Sequence, residues 1–169
     1  MKTFQEFMVE CSQLEESSLS RIKSKSDKGG MAILSGSRGD KSSKENRARA
    51  KQLDKDIRGK GLPGATKVSG RWDEKDKKTG ETTKVKERSH VVTSGKKSKR
   101  KFTKAVKSLG KKYDQDAVLI QKKKTGTFSA TRKGGLDKAK RVRAGTMKPG
   151  RSSAQGDTKI KGKTFTYEK

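Results

Sequence analysis

The sequence predicts an α+β domain, a small two-layer sandwich of the ferredoxin-like βαββαβ kind carrying disordered basic tails. Three observations lead there. Over residues 31–121 the apolar pattern runs strand, helix, strand, strand, helix, strand, which is the split βαβ order. Only 26% of the 169 residues are hydrophobic and 5% aromatic. That is too little apolar surface to order the whole chain, because fixing the backbone costs about 1–2 kcal/mol per residue. The formal charge is +27, from 46 Lys and Arg against 19 Asp and Glu, and self-repulsion of this size favours solvated tails around a small core.

Taken in order, residues 11–29 are rich in serine and lysine and read as a linker. Met31–Ser35 is a short apolar run between Gly29-Gly30 and Gly36, hence a strand. Ser42 followed by Glu45 is a capping-box pattern that starts a helix. That helix carries Asn46, Ala50, Leu53 and Ile57 on one face and stops near Gly59, with Gly61 and Pro63 beyond it. Thr66–Trp72 alternates Lys67, Ser69 and Arg71 against Val68 and Trp72, and Thr82–Thr93 resumes strand chemistry, so the two form a hairpin. A second helix places Phe102, Val106, Leu109 and Tyr113 on one face, with Lys97, Lys101, Lys104 and Lys111 nearly opposite. Ala117–Ile120 is the most apolar run and reads as a buried strand. Thr125–Thr131 adds an edge strand. The expected core is Ile33, Leu34, Leu53, Ile57, Val91, Phe102, Val106, Leu109, Val118 and Ile120, which at about 1.5–3 kcal/mol per buried large side chain suffices for a small domain.

From Arg132 onward there are twelve basic residues against three acidic. This part reads as a flexible tail, although Thr164–Tyr167 alternates and has the pattern of one returning strand. The domain plan is therefore 1–10, 11–29, a folded unit over 30–131, and a basic tail over 132–169. The cationic segments are the main binding candidates: Lys97, Arg100, Lys101, Lys104, Lys111, Arg132, Lys133, Arg141 and Arg143. Each would neutralise a phosphate without reading sequence, so the expected partner is DNA, bound nonspecifically. A second candidate is a polar cluster of Asn46, Glu87, Ser89 and Gln115, joined by His90 and Tyr113 if the sheet forms as drawn. Asn46 sits on an apolar helix face, where an unpaired amide is costly, and Glu87 or Gln115 are its expected partners. A buried structural network explains this cluster more simply than catalysis does.

Several functions are disfavoured. No apolar run reaches the ~20 residues of a membrane span, and the N-terminus lacks the apolar region of a secretory signal. Cys11 and His90 are the only residues of their types, so no internal disulfide or Cys/His metal site is expected. No cofactor is expected either. Gly59-Lys-Gly61-Leu-Pro-Gly64 fits Gly-x-Gly-x-x-Gly by letter, but it follows a helix and precedes a strand, the reverse of a dinucleotide-binding turn. Gly162-Lys-Thr164 resembles the end of a phosphate-binding loop, yet Asp157 stands where its partner glycine belongs.

The first ten residues, Met1-Lys-Thr-Phe-Gln-Glu-Phe-Met-Val-Glu10, carry Phe4, Phe7 and Met8 as a short apolar stripe. They resemble the capsid-targeting peptide of the internal proteins of T-even-like tailed phages. The resemblance implies docking through Phe4, Phe7, Met8 and Glu10. It also implies cleavage by the prohead protease between Glu10 and Cys11, or after the better-matching Leu14-Glu15-Glu16, between Glu16 and Ser17. Separately, Glu45-Asn-Arg-Ala-Arg49, Lys86–Val92 and Leu109–Leu119 resemble a small α+β domain of unassigned activity found in tailed-phage and bacterial proteins.

The function expected on this basis is a non-enzymatic internal virion protein. It would be packaged with the prohead scaffold, processed by the prohead protease, held beside packaged DNA in the capsid and injected into the host cytoplasm. Two alternatives stay open: a free nucleic-acid-binding protein, and an injected effector that inhibits or modifies a host enzyme.

Overall fold

Two serines start the two long helices. The computed structural model describes residues 19–75, 79–136, 139–151, 156–160 and 162–169. Ser42 caps α2 (Ser43–Gly59) through a complete capping box: the Glu45 amide donates to Ser42 Oγ at 3.2 Å, and the Ser42 amide donates to the Glu45 carboxylate at 2.8 Å. Both groups satisfy amides that would otherwise lack partners at a helix start. Ser98 caps α3 (Lys99–Lys112) by accepting from the Lys101 amide. A shorter helix, α1, spans residues 19–28. No helix among the described residues is long and apolar enough to cross a membrane.

The strands are β1 (Met31–Ser35), β2 (Thr66–Lys75), β3 (Thr82–Thr93), β4 (Ala117–Lys122), β5 (Thr125–Ala130), β6 (Arg141–Pro149), β7 (Gly156–Ile160) and β8 (Lys163–Glu168). They close into one antiparallel barrel in the order β1-β3-β2-β7-β8-β6-β5-β4, with β4 returning to β1. Two seams close it. β2 meets β7 with Arg71 opposite Asp157, and that pair is bidentate, Nη2 to Oδ2 at 2.6 Å and Nε to Oδ1 at 3.1 Å. β6 meets β8 with Met147 opposite Tyr167.

Strand alternation sorts the apolar residues into two cores. Ala32, Leu34, Val92, Val118 and Ile120 face outward and pack under α2 and α3 with Leu53, Ile57, Phe102, Val106 and Leu109. Met31, Val68, Val91, Met147, Ile160 and Phe165 face inward, with Leu19 and Ile22 of α1 packed among them. α1 joins this interior through polar contacts too: Gln121 Nε2 donates to Ser26 Oγ at 2.9 Å, and Tyr167 Oη donates to Gln121 Oε1 at 2.6 Å. Burial, aided by the nearby Asp27 charge, raises the Tyr167 pKa well above that of a free phenol.

The predicted two-layer ferredoxin-like sandwich with disordered tails is therefore wrong. The six elements over 31–122 occur in the expected order, but the sheet does not end at β4. Thr125–Ala130 is no edge strand, since β4 pairs on one side and β6 on the other. Residues 141–149, 156–160 and 163–168, read mostly as tail, are barrel strands. The expected core also divides, with Ile33 and Val91 inside the barrel and the other eight under the helices. The reason is geometric. A closed sheet gives each strand two hydrogen-bonding neighbours and requires apolar side chains only at alternate positions. One or two inward residues per strand, such as Met147, Ile160, Phe165 and Tyr167, are enough.

His90 lies on the outer face beneath α2, 1% exposed, with neither ring nitrogen hydrogen-bonded among the described residues. Its Nε2 is 3.4 Å from Asp54 Oδ1. Desolvation lowers its pKa below the ordinary 6.5; Asp54 opposes this shift and Lys67 reinforces it. A depressed folded pKa means that the unfolded chain binds the proton first. Stability is then retained above pH ~6.5 and lost as pH falls below it, with a slope approaching ~1.4 kcal/mol per pH unit. His90 is the only histidine, so this window has one dominant source. Urea melts of the wild type should show falling stability from pH 6.5 to 5.5, and His90→Leu should flatten that slope. A parallel decline in both proteins would refute the assignment.

Candidate functional site

At the end of β1 away from α1, the inward face turns polar. Met31 and Ile33 lie in the inner core, so alternation turns Ser35 inward as well. Opposite it on β3 stands Ser89, and Glu87 follows two positions along the same face. Ser35 is the hub. Its Oγ makes a short hydrogen bond to Glu87 Oε1 and lies 3.0 Å from the Arg88 carbonyl. A hydroxyl has a single proton, and the carboxylate is the stronger acceptor. The same Oγ accepts from the Ser37 amide at 3.1 Å, and the Ser35 amide donates to Gln115 Oε1 at 3.1 Å.

Gln115 reaches this point because α3 ends in a Schellman turn. The Gln115 amide donates to Gly110 O at 3.0 Å and the Asp114 amide to Lys111 O at 3.1 Å, with Asp114 at φ +55°. The positive φ turns the chain back toward β1. Gly110 permits this helix to lie close to the sheet, since a Cβ there would sit 2.6 Å from Thr131 Cγ2. Thr131 Oγ1 in turn makes a short bond to the Gln115 carbonyl. Among the described residues, no partner is seen for the Gln115 Nε2, which leaves its two protons available to a ligand.

Arg49 of α2 ties the loop after β1 to the loop before β4. Its Nε donates to Gly36 O at 2.6 Å, its Nη2 donates to Tyr113 O at 2.7 Å, and its guanidinium lies 5.4 Å from the Tyr113 ring centre. Gly36 suits this close approach, because a Cβ would sit a tight 3.1 Å from the Arg49 carbonyl oxygen. Tyr113 donates to Asp56 at 2.6 Å, and Asp56 also pairs with Lys112 at 2.7 Å. Those two contacts, Lys112 first, hold the Asp56 carboxyl below its usual range.

Three of the four predicted polar-cluster residues thus converge: Glu87, Ser89 and Gln115. Asn46 does not join them. Its amide bridges the loop instead, accepting from the Arg38 amide at 2.9 Å and donating to Arg38 O at 3.0 Å and Lys41 O at 3.2 Å. His90 faces the opposite side of the sheet. Sequence reasoning missed Ser35, Ser37 and Arg49. The available signal was Ser35-Gly-Ser-Arg-Gly39 directly after an apolar strand. Among the cationic candidates, Arg100, Lys104, Lys111, Arg132, Lys133 and Arg141 line one groove that also reaches Gln115, whereas Lys97, Lys101 and Arg143 lie outside it. Phe4, Phe7, Met8, Glu10, Cys11, Glu16 and Ser17 fall outside the described residues. No group of three or more metal-ligating side chains occurs among the described residues.

One end of the barrel thus brings together a carboxylate, two serines and an amide, held by strands β1 and β3 and the turn after α3. The chain belongs to the S-adenosylmethionine lyase family, whose model matches residues 32–169. Among curated proteins, none matches. Among solved structures, the chain is similar to one described as a phage SAM lyase in complex with S-methyl-5'-thioadenosine, at 20% identity and a TM-score of 0.41, covering 56% of this chain and 79% of that one.

Family membership overturns the expectation of a non-enzymatic internal virion protein, together with the virion, capsid and DNA-binding labels given as its role; it does not bear on whether the basic surface also contacts nucleic acid. Neither alternative, a dedicated nucleic-acid-binding protein or an injected effector of a host enzyme, describes the chain. The first ten residues, which carried that expectation, lie outside the residues the family model matches, 32–169.

Proposed function

We propose that this chain cleaves S-adenosylmethionine at the bond between the sulfonium sulfur and the γ-carbon of the methionyl chain. Family membership supports the substrate and the reaction class. The observation that carries the site assignment is the Glu87 carboxylate, fixed by Ser35 Oγ in the polar end of the barrel of a +27 chain. S-adenosylmethionine bears a sulfonium, an ammonium and a carboxylate, and so is a net cation. A protein this basic repels it, and a carboxylate in the pocket offsets that repulsion.

A lyase consumes no water. The substrate's own carboxylate can reach its γ-carbon by closing a five-membered ring. A carbon–oxygen bond forms from a carboxylate lone pair as the carbon–sulfur bond breaks, and the released pair returns to sulfur. The products are homoserine lactone and neutral methylthioadenosine, and no proton moves in this step. Two opposite charges vanish together, so the step is favoured by excluding water and by holding the chain folded for attack. Glu87 belongs at the ammonium. Placed at the sulfonium, it would stabilise the charged ground state more than the transition state. The free Gln115 Nε2 protons suit the ribose or the substrate carboxylate.

Purified protein incubated with S-adenosylmethionine should deplete it with equimolar methylthioadenosine, followed by chromatography and mass spectrometry. In heavy-oxygen water the freshly formed lactone should carry no label. Depletion no faster than in a protein-free control would overturn the reading, and prompt label incorporation would replace lactone formation with hydrolysis.

A further inference from the structure

The basic groove calls for an explanation that a cationic substrate does not supply. It has a volume of about 1250 Å³ and is lined by ten Lys or Arg and one acid, Asp114. One wall is α3, which presents Arg100, Lys104, Lys107 and Lys111. These cations stand three or four residues apart, so each repels the next along one helix face. The first turn of α3 contains Lys99, Arg100 and Lys101 and no acid, which sets positive charge against the positive end of the helix dipole. The other wall, Arg132, Lys133, Lys140 and Arg141, comes from the connection between β5 and β6 and the start of β6. Arg132 pairs with Asp116. For the other nine groove cations, no ion pair is seen among the described residues.

This arrangement disfavours folding and repels the proposed substrate, so it is explained by a polyanion. We propose that the groove between α3 and the β5–β6 connection seats the phosphate backbone of a nucleic acid. The two walls supply cations from separate chain segments, as a duplex or strand lying along the groove requires. Contact through phosphates alone gives affinity without sequence preference and a steep dependence on salt. The groove reaches Gln115 at one end, so it adjoins the proposed substrate site, but none of its cations is assigned a role in the lyase chemistry.

The test is fluorescence anisotropy with a short labelled DNA duplex over about 50 to 200 mM salt. The triple variant Lys104→Gln, Lys107→Gln, Lys111→Gln should bind at least about 30-fold more weakly, with the log–log salt slope reduced by about 2.7, or about 0.9 per lost contact. A charge-matched control, Lys44→Gln, Lys51→Gln, Lys55→Gln, removes exposed cations of α2 and should weaken binding less than about 3-fold. Thermal melts of both triples check folding, and the groove triple should melt no lower than wild type because α3 repulsion is relieved. Equal weakening by the two triples would reduce the effect to diffuse net charge and overturn the proposal. So would undetectable wild-type binding at the lowest salt. S-adenosylmethionine turnover persists in both triples, with a KM in the groove triple no higher than wild type because repulsion of the cationic substrate is reduced, and this readout separates the outcome from failure of the lyase assignment.

Discussion

Glu87→Gln is expected to lower kcat/KM for S-adenosylmethionine by about 100-fold, or ~3 kcal/mol, the upper end for one hydrogen bond to a charged group. The substitution keeps the shape of the side chain, and Ser35 Oγ can still donate to the amide oxygen; a thermal melt checks that the barrel folds. The site loses the charge assigned to the substrate ammonium. KM should therefore rise, and kcat should fall because the substrate is no longer held folded for ring closure. Glu87→Asp should recover part of the loss by restoring charge at shorter reach. A Glu87→Gln protein that turns over substrate like wild type, with an unchanged melting temperature, would remove Glu87 from the site.

Phe165→Ala is expected to destabilise the fold by about 3–5 kcal/mol, the usual effect of emptying a large aromatic site in a core. Phe165 is fully buried and packs edge to face against Tyr167, with ring centres 6.3 Å apart at 74°. Its backbone lies between Thr158 of β7 and Pro149 of β6, so a cavity there loosens the closing seam. A loss of this size approaches the whole stability of many domains. Denaturant melts and hydrogen exchange over 163–168 would measure it. In a solvated tail the same substitution would change stability by less than about 0.5 kcal/mol, and that result would refute barrel closure.

Local chemistry was legible wherever one short window held the signal. Ser42 with Glu45 located the start of α2, and Gly59 with Pro63 its end. The alternation of Lys67, Ser69 and Arg71 with Val68 placed β2. These features act over a few residues, and tertiary context did not overrule them. The three strands after Arg132 were hidden because their outward faces are charged: Arg141, Arg143, Lys148 and Lys159 equal in number the inward Met147, Ile160, Phe165 and Tyr167. Composition then reads as tail, although strand pairing needs apolar residues only at the inward positions.

The site was half legible. Glu87, Ser89 and Gln115 are polar residues at or beside apolar strands, an unusual placement that drew notice. Ser35 attracted none, since a serine ending a strand before glycine is ordinary. Asn46 was given the wrong partners because helix periodicity shows which face a residue occupies but not which loop folds over it.

By itself the amino-acid order determined where helices begin, which segments extend, and how strongly the chain repels itself. The closed barrel and the pocket were decided only in three dimensions. Ser35 meets Glu87 across 52 positions and Gln115 across 80, and the seams pair residues just as remote. Such contacts depend on backbone hydrogen bonds and alternate inward side chains contributed by every strand at once, so no single stretch of sequence encodes them.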